Sequence, residues 1–271
     1  MNNISDRSIF IKQVAKDAGK LALSYYHKRN QLSVEKKKED GQDLVTVADK
    51  NTEQFIRDQI NQQYPQDAIF GEEGGYTQGA SQYTWVVDPI DGTSAFIFGL
   101  PSWCVSIALL DEQQNSQLAV VYDAVHDELF HAIAGHGAYL NEQPMHVNPV
   151  TSLNEGLLGV GISTRMPPER IIPFLDKLLH AKGMFVRNGS AALMLAYVAA
   201  GKLIGYYEPH LNSWDCLAGL LLIKEAGGVM NNYQANDNFL LTGNYVLASS
   251  PDVYQQLDTF IYSSYFKLQG C

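Results

Sequence analysis

Apolar residues at helical spacing, Phe10, Val14, Ala18, Leu21 and Tyr25, predict an amphipathic helix over about 4–30. The charged, glycine-containing stretch 36–42 then predicts a loop. Thr46 followed by Asp49 forms a capping pattern and predicts a second helix to about residue 63. Phe55, Ile56 and Ile60 give that helix its buried face, and Pro65 stops it. From there the period shortens. A strand over 67–70 runs into Gly71-Glu72-Glu73-Gly74-Gly75, and Trp85-Val86-Val87 predicts a buried strand that ends at Asp88-Pro89. Stretches 103–110, 118–122 and 128–133 predict strands of an antiparallel meander, with a polar turn at 111–116 and a further turn or short strand over 139–145.

The second half alternates. Strands are predicted over 157–162, 184–187, 203–207 and 246–248. Helices are predicted from Pro167-Pro168 to about 181, over 190–200, over 214–226 before Gly227-Gly228, and over 251–266. Helices then a meander in one half, and strand–helix alternation in the other, imply an α/β (α+β) chain of two stacked sub-domains. The first would span 1–150 and carry most of the acidic site; the second would span 151–271 and carry Asp215 and the substrate pocket.

Composition narrows the function classes. The 271 residues are 46% hydrophobic and 18% charged, with a formal net charge of -10. This acidity disfavours nucleic acid as a partner through bulk electrostatics, and Lys36-Lys37-Lys38 is too short a basic run to reverse that. Three cysteines without a C-x-x-C pair, Cys104, Cys216 and Cys271, point to reduced thiols. The N-terminus carries no signal-peptide pattern, and the longest apolar-rich stretch, 95–110, falls short of the ~20 residues a membrane span needs. The expectation is a cytoplasmic protein without membrane attachment.

Carboxylates placed where apolar runs meet turns carry the chemistry: Glu72, Asp88, Asp91 and Asp215. Several buried carboxylates converging on one point need a cation, and hard oxygen donors select Mg²⁺, Ca²⁺ or Mn²⁺. Asp88 and Asp91 straddle Pro89, so a turn there would let both face one site and release the Ile90 carbonyl as a further ligand. Gly92 allows close backbone approach, and a helix starting at Thr93-Ser94 offers its N-terminus to phosphate. Asp88 could bridge two metals and Asp91 hold one, an arrangement suited to in-line displacement at phosphorus. Other phosphatase chemistries lack their signatures. No Asp-x-Asp nucleophile, no cysteine with a phosphate cradle, no G-x-x-x-x-G-K-[ST] loop and no EF-hand pattern is present.

The chain resembles the inositol monophosphatase family of lithium-sensitive, magnesium-dependent phosphatases. The resemblance rests on Lys38 with Asp43-Leu44-Val45-Thr46-Val47-Ala48-Asp49, on Gly71-Glu72-Glu73, and on Trp85 through Thr93. It extends to Gly189-Ser190-Ala191 and to Trp214-Asp215 with Glu225-Ala226-Gly227-Gly228. It implies a five-layer α-β-α-β-α sandwich, a homodimer, and two to three Mg²⁺ ions, with Mn²⁺ as a substitute. Glu72, Asp88 and the Ile90 carbonyl would hold the first ion; Asp88, Asp91 and Asp215 the second; Glu72 also a third. Thr93, backed by Asp49, would activate the attacking water. Gly92, Thr93 and Ser94 would contact phosphate. Gly189, Ser190, Ala191 and Glu208 would face the alcohol, with Asp215 beside them and Lys38 on a loop near the metals. The implied activity is hydrolysis of inositol monophosphate or a similar small polyol phosphate. Alternatives are a histidinol-phosphate or 3'-phosphoadenosine 5'-phosphate phosphatase and, from another class, a regulatory interaction protein on the same fold. One departure is Ser94-Ala95-Phe96, where the family commonly has Thr-Asn-Phe.

Overall fold

The structure is a computed structural model that describes residues 4–32, 34–36, 44–163 and 166–265. The helices are α1 (Ile4–Tyr26), α2 (Val47–Gln63), α3 (Thr93–Phe98), α4 (Ile172–His180), α5 (Ala191–Ala199), α6 (Ser213–Glu225), α7 (Phe239–Thr242) and α8 (Pro251–Tyr265). The strands of the first half are β1 (Val34–Lys36), β2 (Leu44–Thr46), β3 (Ala68–Gly71), β4 (Gly75–Thr77), β5 (Thr84–Asp91), β6 (Cys104–Leu110), β7 (Ser116–Asp123), β8 (Glu128–Ile133), β9 (Ala138–Leu140) and β10 (Gln143–Met145). Those of the second are β11 (Leu157–Val160), β12 (Met184–Val186), β13 (Gly205–Leu211), β14 (Val229–Met230) and β15 (Asn244–Ser249).

These elements stack as five layers. Helices α1 and α2 turn Ile11, Val14, Ala18, Ile56 and Ile60 onto one face of an eight-stranded sheet, where they meet Trp85, Val87, Ile107 and Leu109. The sheet order is β10-β9-β8-β7-β6-β5-β3-β4. It is antiparallel except for the β3–β5 pair. Its other face covers α5 and α6, and a five-stranded sheet of order β12-β11-β13-β15-β14 closes over those helices from beyond. In that second sheet β12, β11 and β13 are parallel, β15 runs against them, and β14, antiparallel to β15, returns to their direction. Helices α4 and α8 cover its outer face through Phe174, Leu178, Val253 and Leu257.

The composition of the middle layer explains its place. Every residue of α5 except Tyr197 is buried, as is most of α6. A helix apolar on all sides has to lie between two apolar surfaces, whereas α1 and α2 carry one apolar stripe and sit outside. The resulting core runs from Phe70 and Val86 through Leu195 and Leu221 to Val246.

Element boundaries depart from expectation in three places. Strand β5 does not end at Asp88-Pro89 but continues to Asp91. The segment from Pro167 opens as a 3₁₀ turn, Pro168–Arg170, before α4 begins at Ile172. Lys36 belongs to β1, while 37–42, including Lys38, and Cys271 lie outside the described residues. Cys104 and Cys216 are buried free thiols. Among the described residues no helix is long and apolar enough to cross a membrane.

Candidate active site

The continuation of β5 past Pro89 changes how Asp88 and Asp91 come to share one side. In regular β structure, residues three apart point to opposite faces. Here Asp88 pairs with Ser106 and Asp91 with Cys104, so three steps on β5 answer two on β6. The extra residue of this bulge restores the parity. Pro89 sits inside it, where its missing N–H costs no ladder bond. The Ile90 N–H, turned out of the ladder, donates to Asp88 Oδ1 at 3.0 Å.

Gly92 follows in the left-handed region at φ 97°, and a Cβ there would lie 2.7 Å from the Ser102 carbonyl oxygen. Only glycine turns the chain this sharply beside that carbonyl. The turn directs Thr93 back towards the strand end: its hydroxyl lies 3.2 Å from Asp49 Oδ1 and 3.2 Å from the Ile90 carbonyl. Asp49 is fixed by the α2 capping box. Its Oδ2 accepts from the Thr46 N–H at 2.8 Å and from the Thr46 hydroxyl at 2.7 Å.

Asp215 arrives from the second half of the chain. It is the third residue of α6, and its Oδ2 accepts from the Asn212 N–H at 2.9 Å, so it caps that helix as well as facing the cluster. Asp88, Asp91 and Asp215 each offer a carboxylate oxygen, and the three oxygens lie within 4.8 Å of one another. Burial pushes the Asp91 carboxyl up to about 7, with Glu72 and Glu208 adding to the rise. Hydrogen bonds from Ser190 and the Ala192 N–H oppose it. Carboxylates this close need a proton or a cation between them. Glu72 and Ile90 border the same space, giving a donor set of hard oxygens without thiolate or imidazole, which fits Mg²⁺, Mn²⁺ or Ca²⁺.

These groups form one wall of a cavity of about 610 Å³, which Gly92, Thr93, Ser94, Gly189, Ala191, Glu208 and Asp215 also line. Two expected residues are placed otherwise. Ser190 is fully buried and is not on the cavity wall: it caps α5, accepting from the Leu193 N–H at 3.2 Å and donating to Asp91 Oδ2 at 2.5 Å. Lys38 lies outside the described residues.

The structure adds residues that sequence patterns did not single out. Glu53 and Arg57, four apart on α2, have the spacing of a solvated helix pair, yet they are 2% and 8% exposed. Glu53 accepts from Arg57 Nε at 2.7 Å and from the Glu73 and Gly74 N–H groups at 2.7 and 2.8 Å. Arg57 also donates to the Gly75 carbonyl at 2.6 Å. The pair clamps the turn that presents Glu72. Tyr206 donates to Glu208 inside the cavity wall, and Arg187 contributes a guanidinium to its rim.

The inositol monophosphatase family profile matches residues 4–265. The chain belongs to the inositol monophosphatase family. Family membership extends over almost the whole sequence. The chain is 38% identical over 248 residues to the Nus factor SuhB of Escherichia coli K12, covering 90% of this chain and 91% of that protein. Among solved structures, the inositol monophosphatase from Anabaena (Nostoc) sp. PCC 7120 superposes with a TM-score of 0.82 at 32% identity, covering 97% of each chain. The extragenic suppressor protein suhB from Bartonella henselae superposes with a TM-score of 0.87 at 29% identity, covering 93% of this chain and 96% of that one. The expected family fold is therefore the one observed.

Proposed function

We propose that this chain is a Mg²⁺-dependent phosphomonoesterase acting on inositol monophosphate or a similar small polyol phosphate. The observation that carries this reading is the trio of carboxylate oxygens within 4.8 Å on the wall of a cavity that also holds Thr93 and Glu208. Glu72, Asp88, Asp91, Asp215 and the Ile90 carbonyl would hold the ions, with Mn²⁺ as a substitute. Bound Mg²⁺ supplies the positive charge that draws in phosphate oxygens and acidifies water. The Thr93 hydroxyl directs its single proton to Asp49 or to the Ile90 carbonyl, which leaves its oxygen to accept from an incoming water. Asp49, pinned by Thr46, would be the base: Thr93 takes the proton that the water loses and passes its own hydroxyl proton to Asp49. Backbone groups of Gly92, Thr93 and Ser94 would orient the phosphate, and Glu208, Gly189 and Ala191 would face the alcohol. Ser190 would act through Asp91.

The test is phosphate release from myo-inositol 1-phosphate with Mg²⁺. Release should exceed that of Asp91→Asn by about a hundredfold or more. Equal rates would overturn the reading. A panel including histidinol phosphate and 3'-phosphoadenosine 5'-phosphate ranks the alcohol by kcat/KM. Lithium should inhibit by competing for a hard-oxygen site. By the same family likeness the protein would be a cytoplasmic homodimer.

A second reading is a regulatory interaction protein on the same fold, with hydrolysis incidental. It has the stronger support from the curated relatives, since the Escherichia coli and Pseudomonas aeruginosa proteins, each 38% identical to this chain, are named Nus factor SuhB. A Nus-factor role would not require the carboxylates. Cells in which Asp91→Asn with Asp215→Asn replaces the wild-type chain would then grow normally, whereas a growth defect equal to deletion of the gene would favour the catalytic reading.

A further inference from the structure

We propose that Tyr206 is a positioning residue that fixes Glu208 as a hydrogen-bond acceptor, so that this site selects phosphate esters whose alcohol carries a neighbouring hydroxyl. The inference rests on the phosphomonoesterase reading and concerns only how the alcohol is chosen.

Both residues lie on β13, two apart and therefore on one face of the strand, and that face borders the cavity. The Tyr206 phenol donates to Glu208 Oε2 at 2.5 Å. Both side chains are buried, Tyr206 completely and Glu208 to 6% exposure. The pair is accommodated because residue 161 is glycine. A Cβ on Gly161 would lie 2.0 Å from Glu208 Oε2 and 2.2 Å from the Tyr206 phenol oxygen. Gly161 is held in place by its N–H, which donates to the Tyr207 carbonyl at 2.9 Å. The backbone of the neighbouring segment thus closes over the hydrogen bond.

The chemistry follows from what each group can do. Burial and the adjacent Glu208 carboxylate hold the Tyr206 phenol well above its usual range, so it remains a donor. A phenol that only donates stabilises the carboxylate that only accepts. It also restricts Glu208 to the rotamer in which Oε2 meets the phenol, leaving the carboxylate aimed at the cavity. A carboxylate fixed as an acceptor binds a substrate hydroxyl and repels a carbonyl or ether oxygen at that place. Discrimination of this kind is larger than that of an apolar pocket, because the wrong ligand sets an acceptor against the Glu208 acceptor.

The experiment compares kcat/KM on myo-inositol 1-phosphate with that on p-nitrophenyl phosphate, whose leaving alcohol bears no hydroxyl. In Tyr206→Phe the ratio of the two should fall about tenfold, the size expected from one charged hydrogen bond. The fall should lie mainly in KM for the polyol ester. Gly161→Ala, which presses on the same pair from the other side, should shift the ratio in the same direction. In a Glu208→Gln background, Tyr206→Phe should add little, since its effect passes through Glu208. An equal loss on both substrates, or full additivity with Glu208→Gln, would assign Tyr206 a purely structural role and overturn the proposal. If the wild-type protein hydrolyses neither ester, the phosphomonoesterase reading itself falls. The rise in Tm on adding myo-inositol 1-phosphate with Mg²⁺ then decides the inference: a smaller rise in Tyr206→Phe than in wild type supports it, and equal rises, or none in either, overturn it.

Discussion

Asp91 is a buried acid that faces two opposing demands. Burial holds its carboxyl near 7, against an ordinary 3.8, while Ser190 and the Ala192 N–H favour its ionised form. Without a cation, the folded protein keeps a proton that the unfolded chain has released between about pH 4 and pH 7. Asp91 therefore contributes stability at low pH that is lost as pH rises through its folded value. A divalent cation favours the ionised form and removes this loss. The rise in Tm on adding Mg²⁺ should thus be larger at pH 8 than at pH 5, and equal shifts by calorimetry would contradict it. Thr93 tests the neighbouring chemistry. Thr93→Ala should lower kcat by about 10²-fold or more, while Tm changes by only a few degrees, because the residue is only half-buried.

At the scale of elements, the site depends on how α2 and α5 are anchored. The Glu53–Arg57 pair is a buried ion pair whose carboxylate also holds two N–H groups of the turn bearing Glu72. Removing one charge leaves the other uncompensated, so Glu53→Gln should destabilise by about 3 kcal/mol in urea unfolding and weaken Mg²⁺ binding by titration. A variant that lost stability yet bound Mg²⁺ as wild type would separate the clamp from the site. Ser190 caps α5 and binds Asp91 with one hydroxyl. Ser190→Ala should cost about 1 kcal/mol from the cap alone. It should also weaken Mg²⁺ binding, which the same titration measures.

For the whole molecule, the decisive contact is the crossing of α5 and α6 between the sheets. A Cβ on Gly219 would lie 2.4 Å from the Leu195 Cβ. Helix α5 brings the groups that hold Asp91, and α6 brings Asp215. Separating the helices therefore also separates two of the three carboxylates. Gly219→Ala should destabilise by about 1–3 kcal/mol through overpacking and reduce Mg²⁺ affinity together with stability. Preserved affinity in a destabilised variant would show that the cluster tolerates movement between the layers.

Much of this organisation was legible in the chain. Helical spacing in α1, the Thr46–Asp49 cap, the meander of β6 to β8 and the alternation after residue 157 all follow local rules, and local rules are written in sequence. Asp88, Asp91 and Asp215 stood out because a carboxylate at the end of an apolar run is costly unless it has a partner. Three features needed the tertiary structure. The bulge at Pro89 depends on the register of β6, which no single strand encodes. Glu53 and Arg57 have an ordinary surface pattern, and only the packing of β3 and its turn against α2 buries them. Ser190 reads as a pocket residue beside Gly189, yet the approach of β5 turns its hydroxyl to Asp91. Sequence determined which groups the site contains, since each element carries its own. Packing decided which of them meet, because distances between elements remote in the chain are set by the layers that press them together.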